Sequence, residues 1–331
     1  MLKSPRLKST LAPLAIIVCF ACVVSSAAFA AQISVVSVIS QKFGKAQEEV
    51  AGISPSDPEY SPFLPCSVPA FCVSETGNGT LYLLDAANGR VKKFNLEGNF
   101  IGLLPLEGIP RNSGLRGITV TPAGGTGDPA VIVHSDDSVF RFPPKGGKPE
   151  KITAEGISIT RIFATGEKDY LIYDSSKHAL IRAEAANGKF RTTWKADGVC
   201  SPWPAGDGKV YSIYLPSFDE CRVFILGSGN DSAPREFFRL SARDRSRISR
   251  PAPIGVDSAG NVYLSYFSNN AQTILALTPA GKVFNEFALD PKFTSGRSAA
   301  YCDEAIGHDG SLYIGFVDSD RFYIQKFVSQ K

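Results

Sequence analysis

The sequence predicts an all-β chain built from one four-stranded unit used repeatedly. Three observations predict it. A turn–strand–turn–strand phrase, clearest from Gly79 to Phe100, recurs with centres at Tyr82, Ile132, Leu171, Tyr211, Tyr263 and Tyr313, at intervals of 50, 39, 40, 52 and 50 residues. Val, Ile, Tyr and Phe fill the strands of each copy, as a pleated, half-buried surface prefers. After residue 30, no stretch longer than about 12 residues carries clean helical periodicity. A period of this size with several strands per unit is the signature of propeller blades, so the predicted architecture is a single six-bladed β-propeller.

The elements follow in order. Lys3, Arg6 and Lys8 give a basic start, Leu11–Val24 is apolar, and Ala28-Phe29-Ala30 is a small-x-small cleavage signal. Together they predict a secretory signal peptide over residues 1–30, and a secreted or periplasmic product. The apolar run is shorter than the ~20 residues a spanning helix needs, and no later stretch qualifies, so the mature chain is expected to lack a membrane span. Residues 31–331 form the predicted propeller domain, with 31–65 as closing strand and leader and 66–331 as the blades. Gln32–Ser40 is a strong strand signal, whereas blade 6 ends at Lys331 with no obvious fourth strand. The N-terminal strand is therefore predicted to pair outside strand C of blade 6 and close the ring, burying Val35, Val36 and Val38. An open ring would leave free edges. Gln41–Pro65 reads as a polar, Pro-rich connection over the surface.

Blade 1 is laid out as strands A to D at Ala70–Ser74, Leu81–Leu84, Arg90–Phe94 and Phe100–Leu104. Its turns carry Gly77-Asn78-Gly79 and Gly98-Asn99, residues that supply the positive dihedrals of tight hairpins. Blades 2, 3 and 4 are looser: blade 2 has a long A–B turn at Pro122–Gly127, and blade 4 an excursion from Gly227 to Arg235. Ser241–Ser249 reads equally as a short helix or a loop. Blade 5 takes Ile254–Asp257, Val262–Tyr266, Thr273–Thr278 and Val283–Ala288, and blade 6 takes Leu312–Phe316 and Phe322–Phe327.

Blade 1 closely resembles an NHL repeat through Tyr82, Asp85, Asn88, Arg90 and Phe94. Blade 5 keeps Gly260, Tyr263 and Leu275 without the Asp and Arg positions; blade 6 keeps Gly310, Tyr313, Asp318, Arg321 and Phe327. The resemblance covers nearly all of the mature chain as strands and turns, with a good motif in one blade and a partial one in two. It implies an NHL-like six-bladed propeller. It transfers no catalytic site, because function on such a fold varies with its loops.

Removal of residues 1–30 leaves 301 residues with 32 basic and 32 acidic side chains, since three of the 35 Lys+Arg and none of the 32 Asp+Glu lie in that segment. A neutral mature chain has no bulk field for nucleic acid. Its chemistry is expected on one face. The D–A connections and B–C loops of a propeller open together, which collects Arg116, Arg161 and Arg250 near the starts of three A strands and Asp303 and Glu304 near a fourth. The arginines suit a carboxylate or phosphate; pairing with Asp303, Glu304 and the loop aspartates is the structural alternative. Trp203 and Tyr301 are candidate aromatic anchors at the ring mouth, or packing between blades. Asn88 and Arg90 read as ties between one loop and the next.

The leading functional reading is a protein that binds a partner protein or small ligand through this B–C face. The alternative, which the resemblance to propellers of this type implies, is a metal-dependent, lactonase-like hydrolase or a lyase with its site at the mouth of the central channel; by that resemblance a divalent metal would be held there by Glu304, Asp303 and a loop Asn. A histidine-coordinated zinc site is disfavoured, because His308 is placed on the opposite face from His134 and His178. Five cysteines remain after residue 30. Bridges are expected between Cys200 and Cys221 and between Cys66 and Cys302, leaving Cys72 as a buried thiol.

Overall fold

The computed structural model describes residues 33–50, 69–74, 79–110, 113–122, 128–205, 207–227, 233–242, 247–268, 271–289, 300–317 and 321–329, with no side-chain detail for residues 33, 300–303 and 329. Residues 1–30, predicted as a signal peptide, Cys66 and most of the leader lie outside this set. No helix occurs among the described residues.

The strands form antiparallel meanders. The first holds β2 (Ala70–Ser74), β3 (Thr80–Asp85), β4 (Arg90–Asn95) and β5 (Phe100–Pro105), in that order. The next two are β6 (Gly117–Val120), β7 (Val131–His134), β8 (Ser138–Phe142), β9 (Glu150–Thr153), and β10 (Arg161–Ala164), β11 (Asp169–Asp174), β12 (Ala179–Ala186), β13 (Lys189–Asp197). Their outer strands join through one parallel pair, Lys189 with Thr153, into an eight-stranded sheet. Then come β14 (Trp203–Pro204), β15 (Val210–Ser217), β16 (Glu220–Leu226), β17 (Arg235–Ser241), and β18 (Ser249–Val256), β19 (Val262–Ser268), β20 (Ala271–Leu277), β21 (Val283–Ala288). The final sheet is β22 (Ala300–Ile306), β23 (Leu312–Val317), β24 (Arg321–Ser329) and β1 (Ile33–Lys42). β14 is only two residues long because Pro202 and Pro204 flank Trp203 and cannot donate to a ladder.

Period-2 alternation turns each sheet into a wall between two cores. In β3, Leu81 and Leu83 face the last sheet and pack with Tyr313, Val317 and Phe322. Tyr82 and Leu84 face the other way and pack with Val131, Val133 and Phe142. The same exchange continues from β7–β9 to β10–β12, from β11–β12 to β15–β16, from β15–β16 to β19–β20, and from β19–β20 to β22–β24. The packing thus returns to its start, and four-stranded meanders packed face to face around a ring make a β-propeller. Second strands are buried on both faces, whereas the outer β5, β13 and β21 are largely exposed.

The closing strand is seated as the sequence suggests. β1 pairs antiparallel along β24 from Ile33 with Ser329 to Lys42 with Arg321. An irregularity between Ser37 and Ile39 changes which side chains face inward. Ile39 becomes the buried residue at 2 % exposure, Val38 packs partly, and Val35 and Val36 are 46 % and 53 % exposed. The expected burial of Val35 and Val36 is therefore corrected. The loop after β1 is clamped to the first sheet. Arg90 bonds Asp85 at 2.7 Å and donates to the carbonyls of Ala46 and Glu49. Asn88 donates to the Gly44 carbonyl at 2.8 Å. Lys92, fully buried, donates to Oε1 of Gln41 in β1. Gly98 touches the same strand: a Cβ there would lie 1.7 Å from the Val38 carbonyl oxygen, and its φ is +87°.

One expected disulfide is overturned. Cys200 and Cys221 are both thiols, as is Cys72. Cys221 points into the core between β15–β16 and β19–β20, while Cys200 faces His178 on the preceding meander, so the two look to opposite sides of one sheet. Cys72 is half-buried and not fully buried. The Cys66–Cys302 pairing falls outside the described residues.

Candidate functional site

The inner strands β2, β6, β10, β14 and β22 bring residues from across the chain around one cavity of about 380 Å³. Its wall runs along most of β2, β6 and β10 and takes the last three residues of β22, Glu304–Ile306. Four residues nominated from sequence line it: Arg116, Arg161, Trp203 and Glu304. Arg250 is not among the lining residues; it lies exposed on β18 with a left-handed φ of 49°. Tyr301 and Asp303 lie on β22, and their side chains are outside the described set.

Trp203 meets Phe163 edge to face, with ring centroids 5.2 Å apart. The Arg161 guanidinium lies 5.8 Å from the Trp203 ring centroid, a cation–π arrangement. Packing between blades and lining the cavity are thus the same act for Trp203. Arg116 pairs with Asp136 of the β7–β8 loop at 2.8 Å, both side chains about half exposed at 49 % and 50 %. This pair is within one meander, and exposed pairs of this kind contribute at most about 1 kcal/mol. A ligand anion can therefore compete for Arg116.

Glu304, on β22, is buried. Its Oε1 accepts from Gln272 Nε2, which also donates to Ser265 Oγ at 2.8 Å. Gln272 Oε1 is buried without a hydrogen-bond partner. His134, at the end of β7, also lines the cavity. Burial pushes it down to about 4, so the ring is neutral at pH 7. Its Nδ1 lies 3.2 Å from the Ser135 carbonyl, which assigns the proton to Nδ1 and leaves a lone pair on Nε2. Nε2 rests against Gly117, where a Cβ would come within 2.2 Å of it. Gly117, Cys72, Thr160 and Phe163 belong to the wall but were not nominated from sequence. Their signal was only their place at the start of an A strand.

His178 lies on the β11–β12 loop, and His308 borders a separate cavity with Asp207, Lys209 and Asp257. No group of three His, Cys, Asp or Glu side chains among the described residues is arranged to hold a metal. Asp174, at the end of β11, is fully buried; burial raises its pKa, but hydrogen bonds from Ser176, Ser158 and Lys177 outweigh that and hold it below the usual range. This is a loop-fixing role like that of Asp85.

No family model matches the chain, and no curated protein matches it. Solved structures do. A DUF4221 family member from Bacteroides vulgatus is 10 % identical with a TM-score of 0.57, covering 90 % of this chain and 99 % of its own. A candidate exported protein from Bacteroides fragilis is 11 % identical with a TM-score of 0.53, covering 90 % and 96 %. Virginiamycin B lyase from Staphylococcus aureus is 12 % identical over 90 % and 99 % at a TM-score of 0.48. At these identities the likeness concerns the fold alone. No helix among the described residues is long and apolar enough to cross a membrane.

Proposed function

We propose that this chain is an exported, NHL-like propeller of six blades, the eight-stranded sheet counting as two, and that it binds a small anionic ligand at the mouth where the A strands begin. The observation that supports this most is the placement of two guanidinium groups, Arg116 and Arg161, on the wall of one cavity with Trp203 between flat apolar and cationic neighbours. An aromatic or unsaturated carboxylate fits this chemistry: its charge meets the arginines, its plane meets Trp203. His134 Nε2 offers an acceptor for a ligand O–H or N–H.

The test is a titration of Trp203 emission with a panel of aromatic mono- and dicarboxylates, in a Trp194→Phe background. A saturable change is expected, weakened by about 1.5–3 kcal/mol in Arg161→Ala and Arg116→Ala, the worth of a charge-assisted hydrogen bond. Arg250→Ala, outside the cavity, serves as the control. Equal affinity in the Arg161 and Arg116 variants would sink the reading.

A second reading, a metal-dependent hydrolase or lyase, rests on buried Glu304 at the same cavity. The described donors do not make a three-ligand set. Metal analysis of the purified protein separates the readings: a stoichiometric divalent ion, lost in Glu304→Gln, supports the enzyme.

A further inference from the structure

The Cys200 thiol has a partner that the anion-binding reading does not use. Its Sγ lies 3.8 Å from Nδ1 of His178, within sulfur hydrogen-bond range. The two come from different loops, the β11–β12 loop and the segment entering β14. Both loops are fixed. Val199 N donates to the His178 carbonyl at 2.9 Å. Ser212 Oγ donates to the Cys200 carbonyl at 2.9 Å and accepts from Cys200 N at 3.3 Å. Ile213 N donates to the same carbonyl at 3.0 Å. The pair is therefore held by backbone bonds that do not involve the thiol or the imidazole, which is how a reactive pair is preorganised.

Access and surroundings agree. His178 is exposed and Cys200 half-buried, so a small molecule can reach the sulfur. Cys221, by contrast, is buried in an apolar core that pushes its thiol up to about 12. The Cys200 site adjoins the cavity. Burial raises the phenol of Tyr173, a hydrogen bond from the Ser201 backbone opposes this, and both the Cys200 thiol and Arg161 act on it. Tyr173 is the cross-strand partner of Arg161, which lines the cavity wall. Three residues beyond Cys200, Trp203 continues the same wall.

We propose that Cys200 and His178 form a nucleophilic thiol–imidazole pair at the rim of the cavity, which undergoes exchange with low-molecular-weight disulfides. His178 takes the thiol proton; the Cys200 sulfur attacks one sulfur of R–S–S–R. The Cys200 S–S–R bond forms as the R–S–S–R bond breaks, and the departing R–S⁻ takes the proton from His178. The disulfide is the oxidant, so the step balances without another reactant. Activation of a thiol by an adjacent imidazole is the general logic of such pairs. This proposal does not depend on the anion-binding reading.

The probe is 5,5′-dithiobis(2-nitrobenzoate), with release of the coloured thiolate followed by stopped flow on the native full chain and the labelled peptide identified by mass. A fast phase that labels Cys200 first is expected. It should vanish in Cys200→Ser and slow by about tenfold or more in His178→Asn, a modest loss for removal of a general base. Asn suits this position because His178 has φ +47°, a left-handed value that Asn tolerates. Fast labelling of a different cysteine, or an unchanged Cys200 rate in a folded His178→Asn protein, would overturn the proposal. If His178→Asn does not fold, the labelling order in the wild type and in Cys200→Ser still decides whether Cys200 is the reactive thiol.

Discussion

Ile39→Ala isolates the contribution of the N-terminal strand to ring closure. Ile39 is 2 % exposed in β1, between the last sheet and the first, against Phe71, Leu81, Phe94, Phe322 and Ile324. The substitution removes three carbons from this core. At about 0.8 kcal/mol per buried CH₂, the transfer loss is about 2.4 kcal/mol. The void left behind adds to it, since both walls are sheets held by their own ladders and cannot collapse freely; the expected total is about 2–5 kcal/mol. For a chain of this size each kcal/mol moves the melting temperature by roughly 2–4 °C. The control is Val36→Ala, three residues away on the same strand but 53 % exposed, where a change within about 0.5 kcal/mol is expected. Urea unfolding followed by near-ultraviolet circular dichroism reads both variants. Equal midpoints for Ile39→Ala and the wild type, or equal losses at both positions, would refute the closure argument, because either result means the inward face of β1 is not what joins the two ends of the ring.

Arg90→Ala should cost about 3–5 kcal/mol by urea unfolding, because it removes the ion partner of buried Asp85 and two bonds to the loop after β1; a loss under 1 kcal/mol would place the clamp outside the folded core. Gly98→Ala should destabilise through both its +87° φ and the contact with the Val38 carbonyl, and a melting temperature within one degree of wild type would show that β1 can shift away. His134 gives a pH signature. Its folded pKa, about 4, lies below the unfolded value near 6.5, so the unfolded chain binds more protons between the two. Its contribution is complete above pH 6.5 and is lost as pH falls to about 4, a change of about 3 kcal/mol, and His134→Gln should lack that segment of the stability–pH curve. Lys92 works in the opposite window: burial lowers it to about 8 from 10.5, so stability rises between those values, and Lys92→Met should flatten the rise.

Much of the fold was legible because its determinants are local. The Gly79–Phe100 phrase specifies turn and strand residues within a few positions of one another, and the predicted strands of the first meander agree with β2–β5 to within about a residue at each end. The hydrophobic strand at Gln32–Ser40 was likewise visible, and β1 pairs with β24. The parity of that strand was not: an irregularity after Ser37 moves burial from Val35 and Val36 to Ile39, and a one-residue slip reverses every side chain. The same parity misplaced the thiols. Spacing put Cys200 and Cys221 in one meander, but only the pleat decides that they face different neighbours.

The site divides in the same way. Arg116, Arg161, Trp203 and Glu304 line one cavity; the first three stand at the starts of their strands, where the sequence put them, whereas Glu304 is in the second half of β22. That Arg161 stacks over Trp203, that Gly117 admits His134, and that His178 meets Cys200 are contacts between segments up to tens of residues apart. By itself the sequence determined the repeated strand–turn unit and the strand that pairs along β24, since each follows from short-range pattern. The tertiary structure decided which side chains touch, because that depends on register, on pleat parity and on how neighbouring blades approach, none of which is encoded within a single repeat.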